Sequence, residues 1–332
     1  MQRVMAFNGK DVVVGIGSAL VDILIHTDDA FLNKTGAAKG GMTLVDKEFI
    51  EKTLAMAANR SVLVPGGSAC NTVIGVGKLG GKARFVGKCG QGQMGIFFES
   101  DLKKNNVMTQ LLKSSTPTGR VLSLITPDAQ RSMFTFLGAA SEAHPEELLT
   151  CEFNDAAVVH VEGYLLFNKA LIQTALARAK AAGAMVSLDL ASYTIVKASK
   201  EFLEELIEKY VDILIANEDE AEAFTGFFDE EKAIEALSKR APIAVLKVGK
   251  RGSYIAEGAR IYRIGPLGNG DAMDTTGAGD LWAAGFLFGL VQGFPIEKCG
   301  AIGSACGYEV CQVMGASIPD EGWKRIKSSM EE

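Results

Sequence analysis

Ala157-Val-Val-His-Val161 is a short valine-rich run, and the stretch from about Ala157 to Val248 that it opens alternates between two periodicities. After it, Leu171, Ile172, Ala175, Leu176 and Ala179 recur at helical spacing over Lys169–Ala182, and Gly183 follows where a helix stops. Met185–Leu190 then reads as strand, Lys200–Tyr210 as helix, and Asp212–Ala216 and Ile243–Val248 as strands. Apolar strands alternating with helices imply a parallel sheet covered on both faces, a doubly wound α/β core. Working outward, two segments break that rhythm. One spans about Ala19 to Val64 and contains the turn-rich Lys39-Gly-Gly-Met42. In the other, Val121–Thr126 and Ser132–Phe136 flank the polar Pro127–Arg131, which reads as a β-hairpin. The expected organisation is a large α/β core from residues 1–18, 65–115 and 138–332, with a small β lid from 19–64 and 116–137.

A chain of 332 residues supports one large core, or one core with a smaller lobe. The net charge of −6 and pI near 5.4 argue against a nucleic-acid or anionic-membrane partner, which would need a basic face. The apolar run Leu281–Val291 is too short to cross a bilayer, and Val12–Ile25 is broken by Asp22 without a signal-cleavage pattern. A cytoplasmic protein is expected. Six scattered cysteines form no C-x-x-C pair, so reduced and mostly buried thiols are expected; three distant histidines carry no metal spacing.

The chemistry concentrates in Asp274-Thr-Thr-Gly-Ala-Gly-Asp280, directly before Leu281–Val291. Small residues at Gly277, Ala278 and Gly279 let backbone N–H groups converge at a helix start. Unsatisfied donors and a positive dipole end make that start an anion cradle. Asp280, on the first turn, is placed to accept the proton of an attacking hydroxyl. A simple helix cap would need neither the glycines nor two framing aspartates. A second motif, Pro65-Gly-Gly-Ser-Ala-Cys-Asn71, leads into a helix. Its glycines permit close backbone approach, and Asn71 offers both donor and acceptor, which suits a polyhydroxylated ligand. Gly90-Gln-Gly-Gln-Met-Gly95 is formally the dinucleotide fingerprint. No acidic residue follows about 20 positions on to hold a ribose, and no Walker A sequence exists anywhere.

Together these motifs resemble the ribokinase-like (PfkB) family of carbohydrate and nucleoside kinases, over nearly the whole chain. The resemblance implies a ribokinase-like fold and ATP-dependent phosphoryl transfer with Mg²⁺. Asp280 would be the base, Gly277, Ala278 and Gly279 the anion hole, and Asp22, Gly66, Gly67 and Asn71 the substrate hydroxyl site. Asn217-Glu-Asp-Glu220 matches an N-x-x-E motif, implying that Asn217 and Glu220 organise Mg²⁺ through water. Val248-Gly-Lys-Arg-Gly252 is similar to the nucleotide loop, implying that Gly249 and Gly252, with Thr275 and the region Ala301–Gly307, bind ATP. Within the family the pattern is nearest the adenosine kinase branch. Pro117-Thr-Gly119 with Asp128–Ser132 is similar to its lid hairpin and implies that Arg131 reaches the transferring phosphoryl group. Tyr164, in Glu162-Gly-Tyr164, would suit stacking on a purine. Two departures stand out: Ser18 replaces an asparagine of that branch, and Gly92 replaces an aspartate usual in the family.

The expected reaction is transfer of the γ-phosphoryl group to the primary hydroxyl of a ribose-containing substrate, a nucleoside such as adenosine. The alternative acceptors are ribose, fructose or a related sugar. The rival from another class is an NAD(P)-binding oxidoreductase built on Gly90–Gly95. K⁺ is permitted as a cofactor near Asp274, Thr276 and Gly315, and both a monomer and a homodimer are compatible with the sequence.

Overall fold

The computed structural model describes residues 7–36, 39, 41–57, 61–128, 131–268 and 270–331. Gly40 of the early turn, and Ala129 and Gln130 of the hairpin tip, lie outside the described residues. In chain order the strands are β1 (Val12–Ile16), β2 (Leu20–His26), β3 (Met42–Leu44), β4 (Val62–Gly66), β5 (Lys82–Gly90), β6 (Val107–Ser114) and β7 (Thr118–Ile125). They continue with β8 (Arg131–Gly138), β9 (Ala156–Glu162), β10 (Met185–Asp189), β11 (Ile213–Asn217), β12 (Ile243–Lys247), β13 (Ser253–Glu257) and β14 (Arg260–Ile264).

These strands form two sheets. The larger runs β14-β13-β12-β11-β10-β9-β1-β5-β6, and only β13 runs against its neighbours. Period-two alternation buries both faces. Val12, Val14 and Ile16 of β1 join the cluster that holds the helices Lys169–Ala181 and Tyr193–Tyr210. Val13, between them, joins the cluster on the opposite face with Ser68–Leu79, Ala278–Val291 and Ile296–Cys311. Helices therefore cover both faces, as apolar parallel strands require. The doubly wound reading of the sequence holds.

The smaller sheet runs β3-β8-β7-β2-β4 and is mixed. On one face Ile23, Ile25, Leu122, Leu124 and Phe134 pack with Leu32 and Ile50 from two short helices, Asp29–Lys34 and Lys47–Met56. The alternate residues of β8, Arg131, Met133, Thr135 and Leu137, face the other way, into a cavity shared with the large sheet.

One helix differs from its sequence reading. The helix expected over Lys200–Tyr210 begins at Tyr193, where the Ser192 side chain accepts from the Thr194 N–H, and burial of Ile195 and Val196 extends it N-terminally. Ser199 leaves helical geometry (φ −125°, ψ 17°) and joins the two parts at a kink. The helices Ser68–Leu79 and Ala278–Val291 cross closely: a methyl group on Gly75 would stand 2.5 Å from the Ala284 Cβ. All six cysteines are free, five of them buried. Among the described residues, no helix is long and apolar enough to cross a membrane.

Candidate active site

Four adjacent parallel strands each end on a polar side chain: Glu162 on β9, Asp189 on β10, Asn217 on β11 and Lys247 on β12. Those ends open beside β1, where the chain leaves in both directions, the usual ligand position in open α/β sheets. They floor a cavity of about 1150 Å³, whose opposite wall is the smaller sheet. Asp280, Gly277, Gly279, Thr275, Asp22, Gly67, Asn71, Arg131, Tyr164 and Glu220 all line it.

Asp280 sits in the first turn of Ala278–Val291, and each of its carboxylate oxygens accepts one hydrogen bond. Ser68 Oγ donates to Oδ1 (2.7 Å) and Asn71 Nδ2 to Oδ2 (2.9 Å), while Thr72 Oγ1 donates to the Asp280 carbonyl (3.1 Å). The second glycine motif thus grips the first. Burial raises the Asp280 carboxyl above its ordinary value, against the lowering effect of Asn71 and Ser68. Such a carboxylate is both fixed and more basic than usual. Gly277 caps the helix at φ +72°, and a Cβ there would stand 2.6 Å from the Ala316 Cβ, so only glycine fits. The Ala278 N–H bonds back to Thr275 O (3.2 Å) and Leu281 begins the helical ladder with Gly277 O (2.8 Å). Between them, the N–H groups of Gly279 and Asp280 have no intrahelical acceptor.

Asp22 faces Asp280 from the smaller sheet. Burial and the Asp280 charge push its carboxyl up to about 6 despite the nearby Arg131. Gly66 lies flat against this carboxylate, where a side chain would collide with it, and Gly67 (φ +101°) lies against the Ser18 carbonyl. Gly66 itself does not line the cavity; it makes room for Asp22. Glu162 ties two loops together: the Ser18 N–H donates to Oε1 (2.8 Å) and the Ala69 N–H to Oε2 (3.0 Å). Burial drives the Glu162 carboxyl up to about 7, though both N–H groups oppose it.

Arg131 ties the smaller sheet to the loop that precedes Ala278–Val291. Its guanidinium meets Thr276 Oγ1 and Asp274 (3.4 Å) on one side and donates to Ser123 Oγ (2.9 Å) on the other. Burial would raise Asp274, but hydrogen bonds from Gly315 and Thr276, together with Arg131, hold it below the usual carboxylate range. Asn217 and Glu220 form a closed capping box. The Asn217 N–H and Nδ2 donate to the two Glu220 oxygens (2.8 Å each), and the Glu220 N–H donates to Asn217 Oδ1 (2.9 Å). Burial and Asp189 raise the Glu220 carboxyl to about 7, against the lowering effect of Lys247. Among the described residues no three His, Cys, Asp or Glu side chains converge as a metal cage. Asn217 and Glu220 offer oxygen donors of the kind that a hydrated Mg²⁺ takes.

Some sequence expectations fall elsewhere. Gly249 and Gly252 do not line the cavity. They shape the tight turn between β12 and β13 (φ +55° and +97°), with Gly252 against the Ile264 carbonyl. Ala278 is likewise absent from the lining. The glycines of Gly90–Gly95 also lie away from the cavity; Gly95 lets its helix pack on the end of β5, and a side chain at Gly92 would meet open space. Motif reasoning missed Ser68, Asp189 and Lys247, although a polar residue closing an apolar strand was a usable signal for the last two.

The chain matches the family described as pfkB family carbohydrate kinase over residues 32–322. It belongs to the pfkB kinase family. As a pfkB kinase it is a phosphotransferase with an alcohol group as acceptor, which sets aside the oxidoreductase reading of Gly90–Gly95. The solved adenosine kinase of Sinorhizobium meliloti is 33% identical, with a TM-score of 0.86 over 97% of this kinase and 99% of that chain. A probable sugar kinase from Rhizobium etli is 32% identical, with a TM-score of 0.88 and the same coverage. The nucleoside kinase of Methanocaldococcus jannaschii is 28% identical, over 82% of this kinase and 89% of its own length.

Proposed function

We propose that this kinase transfers the γ-phosphoryl group of ATP to the primary hydroxyl of a nucleoside such as adenosine. One observation carries the choice of acceptor. Met42, Leu44, Tyr164, Phe167 and Met273 are large apolar side chains left exposed (44, 58, 37, 68 and 54%), and all five line this one cavity. A free sugar would satisfy the hydroxyl site and leave that surface bare, whereas a base would cover it. The similarity to adenosine and nucleoside kinases supports this reading, and the probable sugar kinase of Rhizobium etli supports the alternative of a sugar acceptor.

In this mechanism Asp22, from the smaller sheet, and Asn71, from the helix Ser68–Leu79, hold ribose hydroxyls. Asp280, fixed by Ser68 and Asn71, takes the proton of the attacking hydroxyl. The N–H groups of Gly279 and Asp280 stabilise charge on the transferring group. ATP extends from there toward Gly249–Gly252 and Ala301–Gly307. A hydrated Mg²⁺, held through water by Glu220 and Asn217, would neutralise phosphate charge. The smaller sheet serves as the lid over the acceptor, tied to the core through Arg131 and Asp274. A screen of nucleosides and free sugars with ATP, read by ADP release, tests the assignment. Adenosine or another nucleoside should give the highest kcat/KM; ribose or fructose exceeding every nucleoside would overturn it.

A further inference from the structure

Lys247 closes β12 inside the cavity, with its side chain 13% exposed. Its ammonium donates to Asp189 Oδ2 (2.8 Å), while Asp189 Oδ1 accepts the Ala191 N–H (2.9 Å). Among the described residues Asp189 is the only recorded acceptor for Lys247, so two of its three N–H groups are left for the cavity. A Cβ on Gly279 would stand 3.0 Å from Nζ, so the absence of a side chain there lets the ammonium lie against the first turn of Ala278–Val291. Asp189, Glu220 and Asp280 are the charges that face it. Burial favours the neutral amine, but these carboxylates outweigh it and keep the cation.

The other cations of the cavity are committed. Arg131 has three partners, and Lys169 rests over the Phe202 ring, 5.1 Å from its centroid. A triphosphate entering a cavity lined by Asp22, Glu162, Asp189, Glu220, Asp274 and Asp280 needs positive charge where its terminal phosphate meets the anion cradle. Lys247 is the side chain there with donors to spare. A buried ion pair adds little net stability by itself, so fold stability alone does not account for placing one at this spot.

We propose that Lys247 is a catalytic residue that binds the transferring phosphoryl group opposite the Gly279 N–H, and that Asp189 is the residue that positions it. The inference rests on the phosphoryl-transfer reading above and adds a residue to it. The reaction balance is unchanged: the acceptor oxygen–phosphorus bond forms, the bond to the ADP oxygen breaks, and Lys247 keeps its proton.

The test compares binding of a non-hydrolysable ATP analogue and of ADP, by calorimetry, in wild type and Lys247→Met. Loss of one fixed donor to the γ-phosphate should weaken the analogue about tenfold or more and leave ADP within about twofold. With the best acceptor, kcat should fall roughly 100-fold, as for removal of one transition-state donor, with the acceptor KM little changed. Asp189→Asn should show the same selective loss of the analogue relative to ADP, at smaller size. If Lys247→Met does not fold, Lys247→Met/Asp189→Asn also removes the buried charge that Lys247 is hydrogen-bonded to and carries the same measurement. Equal losses for analogue and ADP, or a near-normal kcat, would overturn the proposal. The binding comparison needs no acceptor, so a failed acceptor screen would sink the substrate reading alone.

Discussion

The two walls of the cavity are built on opposite principles. The large-sheet wall is charged, buried and hydrogen-bonded throughout: Asp280 to Ser68 and Asn71, Glu162 to Ser18 and Ala69, Asp189 to Lys247, and Glu220 to Asn217. The smaller sheet adds the charged Asp22 and Arg131 but otherwise, with Gly163–Phe167, presents Met42, Leu44, Phe167 and Met133, side chains with no directional bonds to make. The first wall is organised before substrate arrives, as electrostatic stabilisation of a transition state demands. The second gains its stabilisation only when an apolar surface covers it. On the proposed reading, chemistry and acceptor choice fall to different residues.

Damage to the charged groups should strike turnover at Asp280 and the hold on the acceptor's hydroxyls at Asp22. The largest effect is expected from Asp280→Asn, which keeps the contacts of Asn71 and Ser68 in part but cannot take a proton. Its kcat should fall by about 10³- to 10⁴-fold with ATP binding intact, measured by single-turnover kinetics and calorimetry. Near-normal turnover would remove Asp280 from its role. Next, Asp22→Asn should raise the acceptor KM by roughly 10- to 100-fold, because a hydroxyl site loses its charged acceptor. Asp22 also sets a pH limb. Its carboxyl, raised to about 6, is protonated below that pH, so kcat/KM should rise through about pH 6, and Asp22→Asn should abolish that limb. The sign for folding is opposite. A carboxyl raised in the folded state contributes stability at low pH that is lost as pH rises through about 6, so this ionisation serves binding and opposes the fold.

The apolar wall should break differently. Phe167→Ala should raise KM about tenfold for a nucleoside, the scale of one base–aromatic contact, and leave KM for a free sugar unchanged. An equal rise for both would show that the wall does not sort acceptors. The smallest effect concerns K⁺. Asp274 already has the Arg131 guanidinium as counter-charge, so exchanging K⁺ for a large organic cation should change the rate within about twofold. A larger dependence would mean that a cation shares that carboxylate.

The large sheet was readable because its strands are buried on both faces and its helices keep their spacing, as at Leu171, Ile172, Ala175 and Leu176. The glycine motifs were readable because Gly277 must take a positive φ against Ala316. Lys247 and Asp189 were not singled out, since a charged residue ending one strand looks like any strand terminus until neighbouring strands align their ends. Asn217 and Glu220 show the converse. Their spacing is a helix cap as much as a functional motif, and in the fold they form that cap, with Glu220 left at the cavity. Gly249 and Gly252 read as part of a binding loop, and the fold shows a turn in which both take positive φ.

The close crossing of Ser68–Leu79 with Ala278–Val291 sets more than packing. Gly75 lies one helical turn beyond Asn71, and Ala284 one turn beyond Asp280, so the contact between Gly75 and Ala284 lies directly behind the hydrogen bond between Asn71 and Asp280. The two motifs are more than 200 residues apart in the chain, yet their separation in space is gauged by the width of a single methyl group. A side chain at position 75 would meet the Ala284 Cβ at 2.5 Å and the Leu281 Cδ1 at 2.9 Å, so it would push apart the two helices that carry Asn71 and Asp280.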